Sequence, residues 1–258
     1  MKKTLIEKTA DKLVNAFVNN KIISPLPTKF TKKLSEAQKL RKLCESKVKD
    51  SIIGFKAAGT GIPVMKKLKE KKPFYASIFK KNFIKSGKKV KINKSTLGIE
   101  LEVCYLIKKN FFSSKGSITM KNMTKHISHM ATCIEVIGYR QKKKGITSFG
   151  DLCSDFGANV KFLIGQKKKY KRINIGNLKT NIANKKIGQS VDGNTSTVYI
   201  NPLNSLRFVL NELKKDKINL NKDFYVFTGS TVGVVPILGK GLYTGKVAQL
   251  GSAKAIIH

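Results

Sequence analysis

The run Gly98-Ile99-Glu100-Leu101-Glu102-Val103-Cys104-Tyr105-Leu106-Ile107 constrains this chain more than any other, because it sets two carboxylates two residues apart inside an apolar, β-branched stretch. Under the period-2 alternation of a strand, Ile99, Leu101, Val103 and Tyr105 share one face, and Glu100, Glu102 and Cys104 share the other. Two like charges on one face, roughly 7 Å apart along the strand, repel each other and lose hydration unless something compensates them. A divalent cation is the natural compensator. Mg²⁺ and Mn²⁺ prefer oxygen ligands, and Mg²⁺ usually keeps coordination sites for water or substrate. The plain alternative is a strand whose polar face lies in water.

With 258 residues, 41% of them hydrophobic, the chain can bury one large core, or a core plus a small accessory segment. No apolar run reaches the length of a membrane span. Lys2 and Lys3 are followed by Glu7 and Asp11 before any long apolar stretch, which argues against a signal peptide. Cys44, Cys104, Cys133 and Cys153 are far apart and form no C-x-x-C, so they read as buried reduced thiols of a cytoplasmic protein. The net charge of +37 invites a nucleic-acid reading. Against it, the only arginines are Arg41, Arg140, Arg172 and Arg207, whereas base-edge and bidentate phosphate recognition favour arginine. Lysines spread over the whole length amid many Ile and Asn residues read as a composition bias, so no specific nucleic-acid or membrane partner is expected.

In chain order, Thr4 is a candidate cap for a helix with Leu5, Ile6, Leu13, Val14 and Phe17 at helical spacing, ended by Pro25 and Pro27. A second amphipathic helix is predicted from Leu34 to Val48, and residues 1–50 read as an N-terminal helical segment ahead of a main domain over 51–258. Asp50 to Gly61 reads as a strand entering a Gly-rich turn, with Lys56 presented near the strand end. Pro63 to Lys69 suggests a short helix, Pro73 to Phe79 an aromatic loop or edge segment, and Lys88 to Ile92 a strand. Met120 to Ala131 has helical spacing and carries His126 and His129, read as a polar helix face in preference to metal ligands. Cys133-Ile134-Glu135-Val136-Ile137 is a strand with a third carboxylate in an apolar setting, out of only fifteen acids in the chain. Strands are predicted at 171–175, 178–183, 197–200, 224–228, 246 onward and 253–257, with one clear helix from Pro202 to Leu213. Helices first and then mostly strands argue for an α+β fold with a coiled, mainly antiparallel sheet.

Several stretches together resemble the 2-keto-4-pentenoate hydratase family of the fumarylacetoacetate hydrolase superfamily, which also contains 4-oxalocrotonate decarboxylases. They are Gly54-Phe55-Lys56-Ala57-Ala58-Gly59-Thr60, Ile99 to Val103, Ile134 to Ile137 with Arg140, Asp155-Phe156-Gly157-Ala158-Asn159, Asn201 to Leu206, Thr228-Gly229-Ser230 and Leu250-Gly251-Ser252. The resemblance runs from about Ile52 onward; no single motif is specific, but together they fall in the family's order and spacing. It implies a mixed, mainly antiparallel β-roll with an N-terminal helical part, and a homo-oligomer. Glu100, Glu102 and Glu135 fall where the family places its Mg²⁺ or Mn²⁺ ligands. Lys56 matches the family's active-site lysine, and Thr228, Ser230 and Arg140 fall at substrate-binding positions. The implied substrate is a small 2-oxo or 2-hydroxy-dienoic acid.

Three departures stand out. Gly138 replaces a carboxylate of the family's E-I-V-D-S-R pattern, Lys72-Pro73 replaces an acid ahead of the aromatic pair, and Phe156 replaces a common asparagine. Loss of the acid at Gly138 suggests a roomier pocket there. The expected activity is hydration of a 2-hydroxy-2,4-dienoate to a 4-hydroxy-2-oxo acid. The alternatives are decarboxylation of a vinylogous 2-oxo acid and a non-enzymatic basic binding protein. A carbon-carbon hydrolase is less in keeping with the sequence, because a His-centred base is needed and the histidines are only His126, His129 and His258.

Overall fold

Thr4 starts the first helix through a reciprocal capping box with Glu7, and α1 (Leu5–Asn19) ends at Asn20 in a left-handed conformation. This computed structural model describes residues 2–93, 95–142 and 145–258. The helix α2 (Leu34–Lys47) follows, then β1 (Ile52–Ala58), α3 (Ile62–Lys67), β2 (Phe74–Phe79), β3 (Phe83–Lys85), β4 (Lys89–Val90) and β5 (Thr96–Ile107). The middle of the chain forms α4 (Met120–Met123), β6 (Ile127–Gly138), α5 (Phe149–Ser154), β7 (Asn159–Ile164) and β8 (Lys168–Lys169). The last third forms β9 (Lys179–Asn184), β10 (Gln189–Asn194), α6 (Pro202–Lys215), β11 (Phe224–Ser230), β12 (Gly241–Val247) and β13 (Gly251–Ile257). Among the described residues no helix is long and apolar enough to cross a membrane.

The strands form an eight-stranded sheet in the order β2-β1-β11-β5-β6-β7-β3, with β8 also on β6, and a five-stranded sheet in the order β10-β9-β12-β13-β4. Pairing is antiparallel except for β1 with β11, β3 with β7 and β4 with β13. The chain is therefore α+β with mixed, mainly antiparallel sheets, as its order of elements suggests. One face of β5 packs Ile99, Leu101, Val103 and Tyr105 into the main core, with Tyr243, Ala253 and Ala255 of the smaller sheet and Leu206, Val209, Leu210 and Leu213 of α6. Burying one such side chain contributes about 1.5–3 kcal/mol, so this one stripe strongly commits the register of the strand and leaves its carboxylates on the opposite face.

Helices α1 and α2 pack through Ala10, Leu13, Phe17, Leu40 and Cys44 onto Phe79 and Phe156. A buried ion pair ties α2 to the sheet. Arg41 pairs with Glu45 at 2.7 Å, and Glu45 also accepts from the backbone N–H and hydroxyl of Ser77, both at 2.9 Å. The four cysteines are buried and unpaired with one another by disulfides.

The structure departs from the sequence-based expectations in four places. Helical spacing over 120–131 predicts one helix, but α4 stops at Met123 and Ile127 opens β6, because residues 127–138 pair along nearly the whole of β5. Tertiary pairing here overrides local pattern. His126 accordingly sits in a short 3₁₀ turn, edge-on to Phe111, and His129 lies in a strand opposite Leu106. The aromatic segment 74–79, by contrast, is an edge strand as the sequence suggests, hydrogen-bonded to β1 and buried along its length. Residues 171–175 form no strand, and 197–200 turn into α6 with Tyr199 and Ile200 both at positive φ, which no extended strand allows. Gly138 leaves no roomy pocket: a Cβ there would overlap the carbonyl of Ser95, which accepts from the Tyr139 N–H at 2.9 Å.

Candidate metal centre

In the antiparallel pair of β5 and β6, Glu100 stands directly opposite Glu135 and Glu102 opposite Cys133. Directly opposed residues share a face, so the spacing of Glu100 and Glu102 along β5 and the register of β6 set all three carboxylates together. One carboxylate oxygen from each lies within 4.8 Å of one from each of the others, with Glu102 and Glu135 fully buried and Glu100 half-buried. Among the described residues this is the only cluster of three or more metal-capable side chains.

Two features hold the cluster. Strand β11 bulges between Phe227 and Ser230, and this turns the Gly229 N–H onto Glu102 Oε2 at 2.7 Å. Gly229 has φ 107°, and a Cβ there would overlap the Thr60 hydroxyl, so the position accepts only glycine. From β1, Lys56 donates to Glu135 Oε1 and, at 3.1 Å, to the carbonyl of Gly157. That carbonyl belongs to a turn in which Phe156, Gly157 and Ala158 all have positive φ. Left-handed backbone at Phe and Ala costs on the order of 1–2 kcal/mol each.

Burial raises all three carboxyls. It pushes Glu100 up to about 7 against the pull of Lys56, raises Glu102 well above the ordinary range with Glu135 and Glu100 adding to the effect, and raises Glu135 despite the opposing ammonium. For Lys56 burial works against the charge, but Glu135, Glu100 and Glu102 outweigh it and hold the ammonium above its ordinary value. One cation thus faces three carboxylates, and Glu102 Oε1 and Glu135 Oε2 are buried without a hydrogen-bond partner. Orphaned, repelling carboxylate oxygens in a dry setting fit a hard divalent cation, which takes oxygen donors and removes the repulsion.

The other expected site residues are placed differently. Thr228 is buried beside Gly229; its hydroxyl donates to the Val103 carbonyl at 2.8 Å. The Ser230 hydroxyl, opposite Glu102 in register, donates to the Gly233 carbonyl at 2.7 Å. Arg140 is buried and turned away from the carboxylates to Asp155 Oδ1 at 2.9 Å, with further bonds to the carbonyls of Asp155, Asn159 and Gly138. Its charge still opposes the rise at Glu135. His126 and His129 do not join the cluster. Sequence reasoning did not single out the Gly229 N–H or the Gly157 carbonyl as groups that hold Glu102 and Lys56, since both act through the backbone; the Thr-Gly-Ser and Phe-Gly-Ala stretches were the available signals.

No protein-family model and no curated protein matches this chain. Among solved structures, 4-oxalocrotonate decarboxylase from Pseudomonas putida G7, complexed with magnesium and adipate, is 18% identical with a TM-score of 0.86, covering 100% of this chain and 99% of that one. The same enzyme complexed with calcium and acetate has a TM-score of 0.83 at 18% identity, again covering 100% and 99% of the two chains. A protein from Oleispira antarctica assigned as a fumarylacetoacetate isomerase/hydrolase is 12% identical with a TM-score of 0.58, covering 80% of this chain and 94% of that one.

Proposed function

We propose that this chain, which has the fold of the fumarylacetoacetate hydrolase superfamily, is a divalent-metal-dependent lyase that hydrates a 2-hydroxy-2,4-dienoic acid to a 4-hydroxy-2-oxo acid. The observation that carries the reading is the convergence of Glu100, Glu102 and Glu135 with two oxygens left unpartnered. These three residues would hold Mg²⁺ or Mn²⁺; the magnesium and calcium complexes of the structural neighbour support a divalent ion in this fold. When bound, the ion supplies a Lewis acid that draws electron density out of a chelating 2-oxo or 2-hydroxy acid.

The chain's own residues do the rest. Lys56 has three ammonium protons, of which Glu135 and the Gly157 carbonyl take two. The third is left to meet the oxygen on which charge develops, and the pairing with Glu135 keeps Lys56 a donor at neutral pH. The Gly229 N–H holds Glu102 in place, while the hydroxyls of the flanking Thr228 and Ser230 tie their own segment to the carbonyls of Val103 and Gly233. Arg140 holds the Asp155 turn rather than the substrate, since Asp155 and three backbone carbonyls occupy its guanidinium.

Decarboxylation of a vinylogous 2-oxo acid is the second reading, and the packing at Gly138 favours it. Hydration calls for proton delivery to the distal carbon, and the Ser95 carbonyl fills the place where an acid side chain at 138 would start. Titration of 2-hydroxypenta-2,4-dienoate with and without Mg²⁺ or Mn²⁺, following loss of the dienol absorbance, tests both. A 4-hydroxy-2-oxo acid as product supports hydration, and carbon dioxide from a 4-oxalocrotonate-type substrate supports decarboxylation. Absence of both products together with absence of Mg²⁺ and Mn²⁺ binding overturns the enzyme reading, and salt-sensitive polyanion binding would then favour a basic binding protein.

A further inference from the structure

We propose that Phe17, in α1, is a positioning residue for the Lys56 ammonium, acting through the left-handed turn Phe156-Gly157-Ala158. The inference rests on the reading of Lys56 as part of the catalytic site. The Gly157 carbonyl is one of two acceptors of Lys56 Nζ, and its direction is set by three successive residues with φ of 52°, 66° and 59°. Glycine adopts that backbone freely, whereas phenylalanine and alanine do so only when their surroundings hold them there.

Two braces hold this turn. On one side Asp155 accepts from the Arg140 N–H at 2.7 Å and from its Nη1 at 2.9 Å, and the Asp155 carbonyl accepts from the Ala158 N–H at 2.8 Å. On the other side the Phe17 ring stacks on Phe156 with centroids 4.2 Å apart and planes 20° off parallel. Phe79 meets both rings edge-on at 5.7 and 6.5 Å, and the Arg140 guanidinium lies 5.1 Å from the Phe17 ring and 5.8 Å from the Phe156 ring. Phe156 is fully buried, so it has no solvent-facing alternative. A helix outside the sheet thereby reaches the catalytic lysine. Removing the flat ring at 17 frees Phe156 to leave its strained conformation, and the Gly157 carbonyl moves off Nζ. The carboxylates on β5 and β6 share no part of this stack and keep their places.

The test uses Phe17→Leu, with Leu13→Ala as a control because Leu13 lies in the same apolar cluster. Phe17→Met, close in volume but without a ring, is the second variant should the leucine form fail to fold. The first readout is nitrogen NMR of lysine ammonium groups in the metal-free protein, the Lys56 signal being identified by its loss in Lys56→Met. Exchange of the Lys56 ammonium protons with water is expected to quicken by about tenfold or more in Phe17→Leu and to stay unchanged in Leu13→Ala. In turnover, kcat is expected to fall by about tenfold or more with KM and Mg²⁺ affinity kept, and Phe17→Leu should add nothing in a Lys56→Met background. Unchanged exchange in Phe17→Leu, equal effects of Leu13→Ala, or additive losses in the double variant overturns the positioning role alone. Full turnover by Lys56→Met removes the catalytic reading of Lys56 itself, and this proposal with it.

Discussion

The proposed chemistry rests on Lys56, whose ammonium donates to Glu135 and feels the charges of Glu100 and Glu102. Replacing it with Met keeps its length and deletes its charge. kcat is expected to fall by more than roughly tenfold while the affinity for Mg²⁺ is largely kept, as steady-state kinetics and calorimetry of metal binding would show. Gly229 carries a purely backbone role. Gly229→Ala must force a Cβ against Thr60 and a side chain into φ 107°, and the loss of the N–H on Glu102 follows. A destabilisation of about 1–3 kcal/mol is expected from the strain, and weaker metal binding should accompany it. Thermal melts with and without Mg²⁺ check both effects; an alanine variant that melts and binds as the wild type would show that the contact is not needed.

At the scale of elements, β5 and β6 build the site and α2 secures the sheet behind it. Glu45 is the staple, since its carboxylate meets buried Arg41 and the Ser77 N–H and hydroxyl of β2, the strand paired with that of Lys56. Glu45→Ala leaves a buried guanidinium without its counter-charge, which costs about 3–5 kcal/mol when one partner of such a pair is removed. A large drop in the denaturant midpoint is therefore expected, and a change below 1 kcal/mol, on the order of an exposed pair, would show that Arg41 finds water instead. Gly138 marks the end of β6 where the Ser95 carbonyl closes in. Gly138→Asp is accordingly expected to destabilise the protein and not to add a proton-shuttling acid to it, which folding and turnover measurements on that variant would show.

For the whole molecule, the unbalanced carboxylates set the dependence on pH and metal. Their pKa values are raised by folding, so between the ordinary glutamate value of 4.5 and the value of about 7 for Glu100 the folded state binds more protons than the unfolded one. Stability of the metal-free protein from these groups is therefore greatest at low pH and falls as pH rises through that window. A divalent ion must displace the same protons, so its stabilising effect grows in the same direction. The rise in melting temperature on adding Mg²⁺ or Mn²⁺ is expected to be larger at about pH 8 than at about pH 5. An equal rise at both pH values would show that the ion binds away from the carboxylates.

What the amino-acid sequence determined by itself is what short-range periodicity carries. The alternation over 98–107 puts Glu100 and Glu102 on one face, Thr4 and Glu7 start α1, and the Leu203 to Leu213 stripe makes α6. The resemblance carried by short motifs added Glu135 and Lys56 to the same site, and the α+β architecture was legible from the order of elements. Only the tertiary structure decided the rest, because those contacts join positions far apart in the chain. Lys56 on β1 and Glu135 on β6 are separated in the sheet by β11 and β5, roughly 14 Å if the sheet were flat, and only its curl lets their side chains meet. The end of α4 before His126 was likewise decided by β5, whose long pairing with β6 outweighs a local helical pattern. The Gly229 N–H, the Gly157 carbonyl and the Phe17 to Phe156 stack leave no periodic trace, since backbone direction and ring contact depend on the packed neighbours that hold them.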